Sequence, residues 1–472
     1  MYAPSARRIP QLDGLRVLLV FIVSWYHFWQ QSWLTPSVGT VSLDFLVRSG
    51  YMHVDGTILL SGFLLFLPYA RSMVLGEELP DTRQFYRRRI MRIVPSFYFV
   101  TLVMLVAVAL PFGLYYSPQG MVKDVFMHLT FTFTFDSATY ISTPIGVASW
   151  TLAIEMQAYL LFPLLARAFM RKPVWSFVGL TAAAWAWRGY CLWALNDYNM
   201  VVNQLPSFLD VYALGMAGAL AYVALCRAWP RLKRPLVWQC GATLLAALAV
   251  WGVVVLLRQQ AYASGQFGIQ AGQMLRRWPF ALLLLSLTLA LPFSVRPLRF
   301  LMGNRVMTFL SSLSMNYYLI HQNLAVHLKR LGIPHSEYAL PNQAGDVPWQ
   351  YQYTWLCFGL SLLAAALVTF LVEKPCARGL KRLFAAVDRR RSERLHALAE
   401  RIAQAVAPGT AVLLDARNVP DELRNALAPA IRPAGPDAPA GMTLVITRGP
   451  CGGDYDPATG IGWRCKGPEA LL

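Results

Sequence analysis

With 472 residues, 56 % of them hydrophobic and only 14 % charged, and a mean hydropathy of +0.42, the chain is too apolar for an ordinary soluble globule. Its formal charge of +18 would suit nucleic acid, but much of the Lys and Arg lies in short clusters between apolar runs, as the positive-inside rule expects of cytoplasmic loops, so no nucleic-acid partner is expected. Seven cysteines are scattered without a CxxC pair or zinc spacing, which indicates neither a metal site nor a disulfide framework.

Apolar runs of about twenty residues recur as far as residue 373 and argue one continuous membrane domain. Arg7 and Arg8 precede the first run as in a signal peptide, but the run continues to Leu34 without a small-residue cleavage pattern and reads as a membrane helix. In chain order the expected spans are Leu12–Leu34, His53–Ser72, Ile93–Phe112, Val147–Ala168, Val174–Leu195, Phe208–Arg227, Leu236–Leu257, Trp278–Val295, Val306–His327 and Tyr353–Val372. Loops at 71–92, 167–173, 227–235 and 296–305 carry sixteen Lys and Arg, and the connections on the other side carry seven, among them Arg276 and Arg277. That asymmetry predicts an all-α polytopic protein of about ten transmembrane helices with both termini in the cytoplasm.

From Glu373 the composition turns basic, through Lys374, Arg378, Lys381, Arg382 and Arg389 to Arg391, and then Ala-, Pro- and Gly-rich. The expected division is a transmembrane domain over 1–383 and a cytoplasmic tail over 384–472. In the tail, Arg394–Val406 and Asp421–Leu427 are helix-like, and Ala411–Asp415 and Met442–Thr447 are strand-like, which leaves a small α/β appendage and disorder both open.

A charge at bilayer depth costs roughly 2.5 kcal/mol or more, so each one inside a span asks for a partner or a function. Asp13, Arg16 and His27 fall within about 60° of one another on the first helix, with Arg16 and His27 separated by about 16 Å of rise. One face thus joins an anion-attracting entrance to a proton-transfer group, set against a plain structural hydrogen bond for His27 and a snorkelling pair for Asp13 and Arg16. On the second span, Asp55 lies near the outer end, and Ser61 and Gly62 suit either close helix packing or a ligand. Arg89 and Arg92, at i and i+3 on the cytoplasmic rim, can converge on the phosphates of a nucleotide-like donor or mark topology alone. Glu155 lies two turns inside the fourth span, facing a catalytic cavity or a salt bridge to Arg188, and in the ninth span Tyr317 and His321 stack at i and i+4.

At these residues the chain resembles the acyltransferase-3 family of membrane acyltransferases. The resemblance runs through L-D-G-L-R with His27 following Arg16 after ten intervening residues, V-D-x5-S-G-F-L, R-R-x-x-R-I-x-P, S-W-T-L-x-x-E with Trp150 and Glu155, Y-Y-L-I-H, and E-K-P-x-x-R, covering about 9–383. It implies transfer of an acyl group, acetyl foremost, from cytoplasmic acyl-CoA, a co-substrate and not a tightly bound cofactor, to a hydroxyl of a glycan or lipid-linked cell-surface acceptor at a bacterial inner membrane. By that similarity Arg16, Arg89 and Arg92 would hold coenzyme A, and His27 would be general base or transient acyl carrier. Glu155 would orient or balance the imidazole, and Asp55 would join the catalytic set. Asp13, Ser61, Gly62, Trp150, Tyr317 and His321 would support substrate or structure. The chain departs from the pattern at Thr57-Ile58, where members often show a Phe pair, and lacks the large hydrolase-like extracytoplasmic domain of some members. The competing class is a transporter or flippase, which would show inverted repeats or paired broken helices; no repeat relates the two halves.

Overall fold

The structure is a computed structural model describing residues 4–140, 143–146, 149–196, 198, 201–264, 269–405, 421–427, 443–448, 454–457, 459 and 461–466. It divides into two compact units, 1–376 and 377–472.

The first unit is built on ten long helices: α1 (Gln11–Ser32), α2 (His53–Leu75), α3 (Thr82–Met104), α4 (Trp150–Arg171), α5 (Pro173–Ala194), α6 (Leu209–Ala228), α7 (Pro235–Ser264), α8 (Ile269–Ala290), α9 (Arg305–Arg330) and α10 (Val347–Val368). Each expected span falls on one of them. Among the described residues, eight helical stretches are long and apolar enough to cross a membrane; α5 and α9 are long enough but fall short in apolarity. The reason is visible in α9, whose Ser311, Ser314, Asn316, His321 and Asn323 are buried against protein between α1 and α10. A helix surrounded by other helices can carry polar groups that lipid would reject.

Local chemistry sets the ends. α2 stops where Gly76 takes the left-handed conformation (φ +72°), and α3 restarts at Asp81, whose carboxylate accepts from the backbone N–H groups of Arg83 and Gln84. α8 begins nine residues earlier than the apolar run at Trp278, so Arg276 and Arg277 lie inside a helix and not in a loop. Five-residue π segments follow α3 at Leu105–Ala109 and α10 at Thr369–Glu373. At the second, Asn316 of α9 donates to Thr369 Oγ1 and Glu373 Oε2, both at 2.7 Å.

Two glycines let backbones meet. A Cβ on Gly62 would stand 2.5 Å from Tyr212 O, so α2 and α6 pack backbone to backbone, and one on Gly14 would collide with Met302 O of the short helix Arg296–Gly303.

The second unit contains most of α11 (Lys374–Ala405), the short α12 (Asp421–Leu427) and a three-stranded antiparallel sheet. Its central strand Ile461–Lys466 pairs with Thr443–Arg448 on one side and Asp454–Asp456 on the other. Leu395, Leu398, Ile402, Leu423, Leu427 and Ile461 form its apolar core. Of the two possibilities read from the tail, the described residues take the α/β form; the strand expected at Ala411–Asp415 lies outside them.

Candidate active site

A cavity of about 280 Å³ opens among α1, α2, α3, α4 and α9. Arg16 comes from α1, Thr57 and Ser61 from α2, Arg89 and Arg92 from α3, Thr151, Glu155 and Tyr159 from α4, and Tyr318 from α9. Residues from five helices thus converge, including five of those singled out in the sequence: Arg16, Ser61, Arg89, Arg92 and Glu155.

Glu155 is held from two sides: Ser61 Oγ donates to Oε1 at 2.8 Å and Tyr159 OH to Oε2 at 3.0 Å. Arg188 is not its partner. That guanidinium is paired with Asp210 of α6, which also accepts from Trp185 Nε1 at 3.2 Å. Arg89 lies over the rings of Phe85 (5.9 Å) and Tyr159 (5.6 Å), an arrangement that fixes its direction without neutralising it. Among the described residues none of Arg16, Arg89 and Arg92 forms an ion pair within 4 Å, so the cavity presents three guanidinium groups against one carboxylate.

His27 stands apart from the cavity, three turns along α1 from Arg16. Its Nδ1 is 2.9 Å from Gln30 Oε1, and its ring centroid is 5.2 Å from that of His321 and 5.0 Å from that of Tyr26. Glu155 does not orient this imidazole, contrary to the sequence-based expectation, because its oxygens are turned to Ser61 and Tyr159. The link between the two places is Tyr318, which lines the cavity while its carbonyl accepts from His321 Nδ1 at 2.7 Å and its ring lies 5.3 Å from the His321 ring. Tyr317 stacks on Phe21 (4.8 Å between centroids) and shares a 3.0 Å hydrogen bond with Ser24, so it fastens α9 to α1 beside His321.

The remaining residues lie elsewhere. Asp13 accepts from Thr308 at 3.2 Å and Ser311 at 3.1 Å, a second tie between α1 and α9. Trp150 opens α4 with its ring 6.2 Å from Phe208. Asp55 is fully buried against Arg277 of α8 at 3.2 Å, outside the cavity. Arg277 also donates to Ser207 Oγ at 2.7 Å and lies 4.0 Å over the ring of Phe208.

Sequence reasoning missed Gln30 and the Arg277 partnership, and gave no role to Tyr159 or Tyr318, which stand in the family motifs beside Glu155 and His321. Tyr159 follows Glu155 at i+4, a spacing that could have been read. Gln30 gave no signal because an amide near a span end is ordinary interfacial chemistry, and Tyr318, at the middle of α9, was given no role because an aromatic ring suits an apolar span.

The family described as an acyltransferase domain, acyltransferase-3, matches residues 9–372. The chain is similar to the O-acetyltransferase OatA of Staphylococcus aureus (strain NCTC 8325 / PS 47), 33 % identical over 175 residues covering 35 % of this chain and 25 % of the relative. It is similar to the peptidoglycan O-acetyltransferase OatA of Listeria monocytogenes serovar 1/2a, 27 % identical with the same coverages. Its aligned part thus spans about a quarter of the length of these relatives. With the acyltransferase MdmB of Streptomyces mycarofaciens it is 28 % identical over 410 residues, 80 % of this chain and 94 % of the relative. No solved structure matches.

Proposed function

The chain belongs to the acyltransferase-3 family, and on that premise we propose that it is a membrane O-acyltransferase moving an acyl group, acetyl foremost, from cytoplasmic acyl-CoA to a hydroxyl of a cell-surface glycan or lipid-linked acceptor. The observation that carries this reading is the cavity in which Arg16, Arg89 and Arg92 stand without ion-pair partners. Three guanidinium groups facing a single carboxylate at the edge of an apolar domain are costly unless a further anion completes them, and phosphates take such groups in forked, charge-assisted hydrogen bonds. The pantetheine arm then runs along α1, where His27 lies about 16 Å beyond Arg16.

At that depth His27 accepts the proton of the acceptor hydroxyl through Nε2 as the oxygen attacks the thioester carbonyl. The carbon–sulfur bond breaks and the thiolate takes the proton back from the imidazolium, releasing an ester and coenzyme A. Attack by His27 itself, giving a transient acyl-imidazole, is the same transfer in two steps. The names of the OatA relatives favour acetyl as the group, oxygen as the acceptor atom and peptidoglycan as the first acceptor to try.

We read the ten long helices as ten spans, the polar residues of α9 being covered by α1 and α10 and Arg188 of α5 by Asp210, with both termini on the cytoplasmic side of a bacterial inner membrane; the excess of Lys and Arg in the loops on that side supports this orientation. The test is transfer of label from acetyl-CoA to a panel of glycans, peptidoglycan fragments among them, by membranes holding the protein or its His27→Ala and Arg16→Ala variants at equal levels. Label transfer lost in both variants supports the assignment. Transfer undiminished in His27→Ala removes His27 from the chemistry, and absence of both transfer and coenzyme A binding removes the acyltransferase reading.

A further inference from the structure

Two hydrogen bonds at the outer end of α1 decide which nitrogen of His27 carries hydrogen. Gln30 Nε2 donates to Tyr26 OH at 2.9 Å, so the amide oxygen of Gln30 is the atom turned to His27, 2.9 Å from Nδ1. A carbonyl oxygen only accepts. Nδ1 therefore carries the hydrogen, and Nε2, without a hydrogen-bond partner among the described residues, keeps the lone pair. Tyr26 packs edge-on against Tyr51 (5.1 Å between centroids), whose hydroxyl accepts from Gln260 Nε2 at 2.5 Å, and Gln260 Oε1 accepts from Arg276 at 3.2 Å.

The neighbouring histidine does not do the same work. His321 spends its Nδ1 hydrogen on Tyr318 O, which leaves Nε2 as a bare, buried acceptor with no hydrogen to offer the adjacent ring. Glu155 is engaged by Ser61 and Tyr159.

We propose that Gln30 is the positioning residue of the acyl-transfer site, locking His27 as its Nδ1–H tautomer so that Nε2 is presented as the base. This rests on the reading of His27 as the proton acceptor. The role parallels that of the carboxylate that orients histidine in a Ser-His-Asp triad, but it is filled by a neutral amide. An amide fixes the tautomer without placing a charge beside the imidazole, and it still accepts from Nδ1–H when the imidazolium forms at Nε2.

The experiment uses the full chain in lipid, labelled with ¹⁵N-histidine, with the His27 resonances assigned by their loss in His27→Ala, alongside acetyl transfer kinetics. In the unaltered protein His27 Nδ1 is protonated and Nε2 bare. Gln30→Leu redistributes the hydrogen between the two nitrogens and lowers kcat about 100-fold, with KM for acetyl-CoA unchanged. Gln30→Glu, which returns an acceptor oxygen, restores the tautomer and most of kcat. A hydrogen on Nε2 in the unaltered protein, or kcat and tautomer both retained in Gln30→Leu, overturns the positioning role and leaves the acyltransferase reading standing. Equal losses in Gln30→Leu and Gln30→Glu also overturn it, as a packing role predicts. Turnover persisting in His27→Ala overturns both the positioning role and the reading of His27 as the base, and leaves the acyltransferase reading standing.

Discussion

Ser61 Oγ donates to Glu155 Oε1 at 2.8 Å, tying α2 to α4 across the wall of the arginine-lined cavity. With Tyr159 on the other oxygen, both carboxylate oxygens are engaged, and among the described residues neither forms an ion pair within 4 Å with the guanidinium groups that line the same space. Ser61→Ala removes a hydrogen bond to a charged group, about 1.5–3 kcal/mol, and releases one oxygen of Glu155 toward Arg16, Arg89 and Arg92. A carboxylate that swings onto an arginine competes with the donor phosphates, so KM for acetyl-CoA is expected to rise about tenfold. Ser61→Thr, which keeps the hydroxyl, stays near the starting value. Initial-rate titration with acetyl-CoA separates the two.

The arginines themselves predict a different signature. Each guanidinium that contacts phosphate contributes about 1.5–3 kcal/mol, so Arg89→Ala and Arg92→Ala each weaken coenzyme A binding at least tenfold. Arg89→Lys recovers only part, because a point charge replaces a planar fork and the stacking over Phe85 and Tyr159 is lost. Calorimetric titration of coenzyme A into the protein in lipid discs reads both. Affinity unchanged by all three substitutions places the donor elsewhere.

Much of this arrangement was legible in the sequence, and the parts that were not share a cause. Arg16, Ser61 and Glu155 stand out because a charge or hydroxyl inside an apolar run violates its surroundings, Arg89 and Arg92 because their i, i+3 spacing on the rim lets them converge, and the cavity gathers all five. The same rule found Asp55 but not its partner, because Arg277 lies at the edge of an apolar run, where a charge reads as loop. Glu155 and His27 both qualified as buried polar groups, but helical periodicity gives a residue's face and depth on its own helix and says nothing of the neighbouring helix. Their separation into two places was therefore invisible. Gln30 near a span end and Tyr318 at mid-span do not offend an apolar context, although each meets a histidine three residues away on its own helix; only the packing of α1 against α9 brings the two histidines together.

Gly62 makes a prediction about packing alone. Any Cβ at this position meets Tyr212 O at 2.5 Å, closer than real Cβ atoms approach, and the obstacle is backbone that cannot rotate aside. Gly62→Ala therefore forces α2 and α6 apart, and Gly62→Val forces them further. Because Gly62 follows Ser61, that movement also lengthens the bond to Glu155. Both variants are expected to lower the melting temperature in detergent, Val more than Ala, with KM for acetyl-CoA rising in parallel. Stability lost without a change in KM would detach this contact from the cavity.

Asp55 and Arg277 are an unequal pair. Asp55 has Arg277 as its ion-pair partner, whereas Arg277 also donates to Ser207 Oγ and O and lies over Phe208. Removing one partner of a buried pair strands the other charge, at a cost of about 3–5 kcal/mol, but the two deletions do not strand equal charges. Arg277→Met leaves a carboxylate among apolar helices with no ion-pair partner within 4 Å among the described residues. Asp55→Asn leaves a guanidinium that still has a hydroxyl, a carbonyl and a ring face. The first is therefore expected to destabilise the protein more than the second, and the double variant, which strands no charge, to be more stable than Arg277→Met alone. Thermal unfolding of the three variants in one detergent gives the order directly. If Asp55→Asn proves the more damaging, the carboxylate is holding something besides Arg277, and a part in catalysis becomes the better account of its burial.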